Sequence, residues 1–198
     1  MAPAKRRLSP EESRSRALAA ACELLIEAGP QAVTLKAVSA RVGRTHANLL
    51  HHFGSAAELQ KAVAVYMGQQ VCKTIGDTVL KTRTGEASVR EIVDLTFDAF
   101  DKQGAASLWS WMLATGNDDA LDPIVDVIHQ LVDELAIEGH DDRLMHEHTH
   151  NLVLVALGDA LIGERLAQSL DLPRDSARIG AEKQLQLGLD EWVAEAQR

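Results

Sequence analysis

The chain has few of the residues that mark a disulfide-rich, zinc-binding or membrane-spanning protein. Its 198 residues include only two cysteines, Cys22 and Cys72, both inside helical patterns, so neither a disulfide framework nor a cysteine zinc site is expected. No stretch reaches the ~20 uninterrupted apolar residues of a membrane span, since the best candidate, residues 152–163, contains Asp159. The basic start is not followed by the apolar segment of a secretory signal. We expect a cytoplasmic protein with no membrane partner.

Aromatic residues are also scarce, at 4% of the chain, whereas apolar residues together make up 46%. A core must therefore be assembled mainly from Leu, Val, Ala and Ile, which are the usual material of packed helices. The sequence predicts an all-α fold.

Positive charge is scarce over most of the chain but not at its start. Residues 67–198 hold 11 Lys and Arg against 24 Asp and Glu, a net charge of −13, whereas residues 1–66 hold nine Lys and Arg against five Glu, a net charge of +4. A basic head on an acidic body is expected of a module that meets phosphates; a chance excess on a solvated face is the alternative. We predict two domains, 1–66 with a basic tail over residues 1–9, and 67–198.

Capping signals divide the head into helices. The sequence SPEE at residues 9–12 is a capping box with proline at the first helical position, and it predicts a helix over about residues 10–28. Thr34 and Thr45 each cap a short helix. A second Ser and Glu pair, Ser55 with Glu58, opens a longer fourth helix.

The two short helices are separated only by Gly43 and Arg44. This is the spacing of a helix-turn-helix, in which the second helix can lie in the major groove of DNA. In that helix, Leu49 and Phe53 are four residues apart and are predicted to face the core. His51 and His52 are adjacent, so their side chains diverge by about 100° and do not readily bind one metal ion. The polar residues predicted to face away from the core are Thr45, His46, Asn48 and His52.

Taken together, these segments resemble the DNA-binding domain of tetracycline-repressor (TetR) family regulators. The resemblance covers about residues 10–66 and is carried by "AACELLIEAG", "VTLKAVSARVG" and "ANLLHHFGSAAEL". It implies a homodimer whose third helix reads a half-site of double-stranded operator DNA, and a C-terminal domain that binds a small effector and releases the DNA. It places His46, Ala47 and Asn48 in the base-reading stretch. The candidate DNA-binding residues around them are Thr34, Lys36, Arg44, Thr45, His51 and His52.

The head departs from the family pattern at two positions. Leu50 stands where a tyrosine is usual, and Ala56 stands where a lysine is usual. Both missing side chains commonly contact phosphate, so their loss weakens the part of the affinity that does not depend on sequence. The basic residues Lys5, Arg6 and Arg7 offer a compensating contact to phosphate or the minor groove; an ordinary terminus is the alternative.

The acidic body is predicted to be helical, with helices over about residues 88–103, from Asp122, over about 141–170 and over about 173–195. Between the first two lie two of the chain's three tryptophans, Trp109 and Trp111, close to Phe97 and Phe100. Pockets in helix bundles are lined by such groups, although plain core filling explains any one of them equally well. The candidate effector-binding residues are Phe97, Phe100, Trp109, Trp111, Met112 and His129.

The last two predicted helices carry faces that suit dimerisation. Small residues allow close helix contact, and an antiparallel pair can pack on its twin as a four-helix interface; packing within one chain is the alternative. The candidate dimerisation residues are Leu152, Val155, Ala156, Ala160, Leu189 and Trp192.

Two alternatives from other functional classes stay open. The stretch "GHDDRLMHEHTHN" contains His140, His146, His148 and His150, and a metal-dependent enzyme using His146 and His150 is one alternative. It lacks the HExxH order and an evident third ligand, so we expect neither a metal nor a cofactor. An interaction protein whose head has lost DNA binding is the other, motivated by Leu50 and Ala56. The interpretation we adopt is a transcriptional regulator, a repressor, without enzymatic activity.

Overall fold

The computed structural model describes residues 9–136 and 143–196, except for the side chains of residues 118 and 191–196. Every regular element in this part of the chain is a helix, so the predicted all-α class is confirmed. None of these helices is both long enough and apolar enough to cross a membrane. The α-helices are α1 (Pro10–Ala28), α2 (Leu35–Val42), α3 (His46–Phe53), α4 (Ala56–Arg83), α5 (Val89–Phe100), α6 (Ala105–Ala114), α7 (Asp122–Leu135), α8 (Arg143–Gly158), α9 (Glu164–Ser169) and α10 (Ser176–Ala196).

The predicted capping contacts fix the start of the head helices. Ser9 Oγ accepts from the Glu12 backbone N–H at 3.1 Å, and Glu12 Oε2 accepts from the Ser9 N–H at 2.8 Å, which completes the capping box of α1. Thr34 and Thr45 cap α2 and α3 through their side-chain oxygens. Gly43 ends α2 with φ of 65°, a left-handed conformation that favours glycine.

Helix α4 joins the head to the body. Its 28 residues continue without a break through residues 66 and 67, where we placed the boundary between the two domains. At 1.5 Å per residue it is roughly 42 Å long. Head and body therefore share one helix rather than a linker.

A single apolar core runs through both halves. In the head it is built from the inner faces of α1, α2, α3 and the first turns of α4, including Leu49 and Leu59. In the body it continues through α5 and α6, where Phe97 and Met112 are completely enclosed. Dispersion and apolar burial thus connect the two halves along the whole length of α4.

One predicted helix boundary in the body is wrong, and one predicted helix contains a wider turn that was not predicted. Helix α5 ends at Phe100 rather than near residue 103. The helix expected over residues 141–170 changes to one wider turn over Asp159–Gly163 before it resumes as α9. That turn carries Asp159 into the interior, where Arg174 Nη1 donates to both carboxylate oxygens at 2.7 and 2.8 Å. A buried carboxylate needs such a partner, and the partner lies 15 residues away in the sequence.

Candidate functional site

The exposed residues of α3 are polar or small, apart from Leu50, which is 45% exposed. His46, Ala47 and His51 are exposed, and Thr45 is exposed at the helix start. Leu49 and Phe53 turn inward and are 1% and 6% exposed, which confirms the predicted orientation of the helix. The outer face of α3 is therefore free to approach a partner surface.

Asn48 lies between these two faces. It is half-buried, and its side-chain oxygen Oδ1 is enclosed without a hydrogen-bond partner among the described residues. An enclosed acceptor without a partner costs free energy in the isolated protein. The residue was predicted to lie mostly away from the core, and the structure places it at the edge instead.

The remaining candidate DNA contacts surround α3. Lys36 on α2 and Arg44 in the turn are exposed, whereas Thr34 and His52 are half-buried. The hydroxyl oxygens of Thr34 and Thr45 already accept from the backbone N–H groups of Ala37 and Asn48 at 3.1 and 3.2 Å. Both threonines therefore fix the start of a helix, whatever further contact they make.

An arginine of α1 that no local sequence signal points to contacts the end of α3. Arg14 on α1 lies over the Phe53 ring, 4.5 Å from its centroid, and its Nη1 donates to the His52 carbonyl oxygen at 2.9 Å. A cation at the carboxyl end of a helix is favourable, and so is a guanidinium over an aromatic ring. Arg14 therefore anchors the end of α3 to α1.

An ion pair anchors α2 in the same way. The guanidinium of Arg41 contacts Glu27 with two hydrogen bonds, at 2.9 and 2.5 Å, and approaches Glu23 at 3.4 Å. The hydrogen bond to Arg41 lowers the pKa of Glu27 below its usual value. These charges lie at the surface, so the pair orients α2 more than it stabilises the fold.

Comparison with known proteins agrees with this geometry. Residues 17–63 match the family model described as bacterial regulatory proteins, tetR family. The chain is therefore similar to tetR family regulators over its helix-turn-helix head. The match identifies the head as a TetR-type DNA-binding domain of the helix-turn-helix class, which supports a role in the regulation of transcription.

Comparisons with solved structures and with curated protein sequences do not extend this assignment to the body. The chain is similar to a crystal structure from Shewanella sp. PV-4 that is provisionally assigned as a tetR family transcription regulator. The two are 14% identical, with a TM-score of 0.41 over 86% of this chain and 96% of the other. A comparison with curated protein sequences gives no match.

The body of the protein contains a long apolar cavity. The volume of the cavity that the centres of water molecules can occupy is about 180 Å³. A single water needs about 10–15 Å³ of such volume. One face of α4, from Ala64 to Arg83, forms one wall, and residues of α5, α6, α7, α8 and α10 form the rest. That face of α4 is roughly 28 Å long. The cavity therefore suits an elongated ligand.

The wall of the cavity is almost entirely apolar. Arg83 lies at one end of the α4 face, where its Nη2 donates to the Leu135 carbonyl oxygen at 2.5 Å and burial lowers its pKa. Cys72 also lines the wall, and burial raises the pKa of its thiol to about 11, so the thiol is protonated and unreactive at neutral pH. The other side chains with polar groups in the wall are Thr96, Trp109, His148 and Thr149.

The cavity contains only two of the six candidate effector-binding residues. Phe100 and Trp109 line it, with their rings edge to face at 5.1 Å. Phe97 and Met112 are enclosed in the core, because their helix positions turn away from the cavity. Trp111 is two residues after Trp109 on the same helix and lies at the surface, 36% exposed. His129 is exposed beside Asp133 and does not line the cavity.

The candidate dimerisation residues are also separated by the fold. Leu152 and Leu189 line the cavity, and Ala156 is completely buried within the chain. Ala160 is partly buried against the same core, and Val155 alone is exposed, at 37%. The side chain of Trp192 lies outside the described residues.

A different set of residues forms an exposed apolar face. These residues recur at helical spacing along α8, the Asp159–Gly163 turn and α9, and one more lies on α10. On α8, Ala156 is buried and Leu154 is exposed, so this helix has two apolar faces. The apolar residues of this second face are visible in the sequence, but the side to which they point depends on the wider turn at Asp159–Gly163. The residues of this face are Leu154, Leu161, Ile162, Leu166 and Leu187, each at least half exposed.

The histidine-rich stretch is divided in the structure. His140 lies outside the described residues. His148 turns into the cavity wall, and His150 is exposed. His146 lies beside His129 and Asp133 of α7, with which it can hold a metal ion. Among the described residues, His150 does not join that group.

Proposed function

We propose that the chain is a homodimeric repressor that binds double-stranded operator DNA and is released when an elongated, mostly apolar small molecule occupies the cavity. The observation that carries this proposal is the continuity of α4. Its first turns belong to the core of the DNA-binding head, and its remaining turns form one wall of the cavity. Repression, as the direction of regulation, rests on the resemblance to the family.

The amino-terminal part of α4 is firmly bound to the head. Leu59 and Val63 are completely buried there. The buried side chain of Gln60 donates from Nε2 to the carbonyl oxygens of Pro30 and Val33, at 3.2 and 3.4 Å, in the segment that joins α1 to α2. A displacement of this part of α4 therefore carries α1 and α2 with it, and with them the orientation of α3.

A second contact joins the cavity to the head through α6. Trp109 of α6 lines the cavity, and the turn that starts this helix places Gly104 against Leu25 of α1. A Cβ on residue 104 would lie 3.3 Å from Leu25 Cγ, and Gly104 has a φ of 82°. Both facts favour glycine there. A ligand that moves Trp109 thus acts on α1 as well as on α4.

The chemistry of the cavity wall defines the ligand class. A wall of aliphatic and aromatic side chains with few polar groups binds apolar molecules, and the polar groups fix their orientation. His148 and Thr149 on α8 are polar groups of the wall that can contact one or two polar atoms of the ligand, whereas Arg83 at one end already donates to the Leu135 carbonyl oxygen. We expect an extended apolar molecule with a polar end.

A second copy of the chain is the partner expected on the exposed apolar face. Large aliphatic side chains recur at helical spacing along α8, the Asp159–Gly163 turn and α9, and Leu187 adds one on α10; water solvates such exposed apolar groups poorly. Self-association about a two-fold axis buries the same face of both copies. It also presents two helix-turn-helix units, as paired operator half-sites require.

Selection of operator sequences by the purified protein, together with genomic binding, tests the DNA-binding part of this proposal. A folded protein that enriches no sequence contradicts it and favours the loss of DNA binding that Leu50 and Ala56 first raised. With an operator in hand, apolar and amphipathic compounds are screened by tryptophan fluorescence. Linkage is reciprocal, so a ligand that weakens DNA binding must itself bind more weakly to the DNA complex, by the same factor.

A further inference from the structure

We infer that His129, Asp133 and His146 form a binding site for a transition-metal ion such as Zn²⁺ that joins α7 to α8. His129 and Asp133 are four residues apart on α7 and therefore project from the same side of that helix. His146 reaches them from the first turns of α8. The inference is independent of the ligand proposed for the cavity.

The distances between the candidate ligand atoms support a single ion. One ligand atom from each residue lies within 4.8 Å of the other two. His129 Nε2 is 3.4 Å from Asp133 Oδ2, and His146 Nε2 is 3.9 Å from Asp133 Oδ1. Ligand atoms at ~2.0 Å from a tetrahedral zinc ion are about 3.3 Å apart. Small rotations of exposed side chains bring the three atoms to that separation.

The donor set fits a borderline metal ion better than a hard one. Two imidazole nitrogens and one carboxylate oxygen are typical ligands of Zn²⁺, whereas Ca²⁺ and Mg²⁺ take oxygen ligands. The imidazole rings of His129 and His146 lie 5.5 Å apart between centroids with planes tilted by 57°, so they can direct nitrogens toward a shared point. His129 and Asp133 are exposed, which leaves room for water to complete the coordination.

The location gives the ion a structural consequence. Both α7 and α8 line the cavity, through residues such as Leu135 and Leu144 that flank the cluster in sequence. An ion bound by one ligand pair on α7 and a third ligand on α8 fixes these helices against each other. Metal binding should therefore raise the thermal stability of the protein, and above the Kd the gain in stability should grow with the logarithm of the ion concentration.

Isothermal titration of the chelator-treated, untagged full chain with Zn²⁺ tests the inference, and Co²⁺ serves as a spectroscopic probe of the ligand set. We expect one ion per chain and visible Co²⁺ absorption of a site with nitrogen and oxygen ligands. His129→Ala, Asp133→Asn and His146→Ala should each lower the affinity by at least roughly the 10–100-fold that outer hydrogen-bond partners contribute at metal sites. These side chains lie at or near the surface, and circular dichroism checks that each variant is folded.

His150→Ala is the matched control, because His150 lies on α8 in the same histidine-rich stretch and is exposed. It should keep the stoichiometry and the affinity of the unaltered chain. Absence of binding at one equivalent, or binding that persists when all three ligands are replaced, overturns the inference and leaves the cluster as a polar surface contact. An equal loss in His150→Ala also overturns it.

Discussion

Leu49 and Leu50 are neighbours on α3 and face opposite environments, since Leu49 is 1% exposed in the core of the head and Leu50 is 45% exposed. The difference follows from the 100° turn between successive helix residues. It sets the orientation of the whole helix, because Phe53 then points inward with Leu49. Leu50 is thus an apolar side chain on the surface where the family usually has a tyrosine.

Replacing Leu50 with tyrosine should therefore strengthen DNA binding. If α3 meets the duplex as the family's helix does, the added hydroxyl contributes the ~1 kcal/mol of a net hydrogen bond to phosphate, on cognate and random duplex alike. Leu50→Phe supplies the ring without the hydroxyl and should leave affinity nearly unchanged. Fluorescence anisotropy at fixed salt measures both. Equal gains in the two variants would mean that ring contacts, rather than a phosphate contact, are responsible.

Replacing Asn48 with alanine should affect specificity without harming the fold. The side-chain oxygen of Asn48 is enclosed and has no partner among the described residues, so its removal should not lower the free energy of unfolding. Loss of a contact to a base edge should cost ~1–3 kcal/mol on the selected operator and little on random DNA. Lys36→Gln is the comparison, because loss of a phosphate contact weakens both duplexes equally. An equal loss on both duplexes for Asn48→Ala would assign it to phosphate instead.

The helices of the head could be predicted from the sequence because their signals are local. Ser9, Thr34 and Thr45 cap helices through hydrogen bonds to N–H groups only three residues away. The buried positions of α3 follow from spacing alone. The anchoring of α3 by Arg14 was not predictable in this way, since Arg14 and His52 are 38 residues apart and meet only in the folded chain.

The cavity and the apolar face of the body depend on contacts of this long-range kind. Trp109 and Trp111 are the same residue type and lie two residues apart, yet of these two only Trp109 lines the cavity. Leu152 and Leu154 are likewise close in sequence, and they face the cavity and the outside respectively. Which side of a helix is buried depends on the helices packed against it. Because α8 has apolar residues on more than one side, its periodicity does not show which side is buried.

Replacing Gly163 with alanine should destabilise the body through one specific overlap. A Cβ on residue 163 would collide with the carboxylate of Asp159 and would force it away from Arg174. The expected cost in the free energy of unfolding is ~1–3 kcal/mol. In an Asp159→Ala background the same glycine change should instead be neutral or stabilise by up to about 1 kcal/mol, as alanine does in a helix. Chemical denaturation of the four proteins in this cycle measures the coupling, and additive effects would contradict it.

Lowering the pH should remove the stabilisation that Arg178 gives to the contact between α5 and α10. Arg178 donates to Asp94 and Asp98 at 2.8 and 2.7 Å. Burial raises the pKa of each carboxyl, but hydrogen bonds from Arg90 to Asp94 and from Lys102 to Asp98, together with those from Arg178, outweigh it and hold both pKa values below their usual range. Because the folded pKa is the lower one, this stability is present above the unfolded pKa of ~3.9 and is lost as pH falls through the folded values.

Arg178→Met isolates this contribution. We expect it to cost about 1–2 kcal/mol near neutral pH, less than the full strength of charged hydrogen bonds because both carboxylates are partly exposed. The difference from the unaltered chain should shrink below about pH 4 as the carboxylates protonate. Lys102→Met is the control, since Lys102 also contacts Asp98 but is 68% exposed, and it should change stability little. The Arg178 guanidinium also lies over the Phe97 ring, 5.0 Å from its centroid. A cost for Arg178→Met that does not vary between pH 7 and 3 would assign the cost to packing on that ring.

Variants of the two tryptophans of α6 test whether the ligand binds in the cavity or at the outer surface of the helix. Trp109 lines the cavity, whereas Trp111 lies on the outer surface. Trp109→Phe should weaken the binding of any compound that releases the operator, and it should remove most of the fluorescence change. Trp111→Phe should preserve both. In each variant, DNA affinity without ligand should stay within a few-fold of the unaltered chain, and the coupling for a true effector should be ~1–3 kcal/mol. If only Trp111→Phe loses the response, the ligand binds outside the cavity. If ligands bind in the cavity without changing DNA affinity, the cavity has no role in regulation.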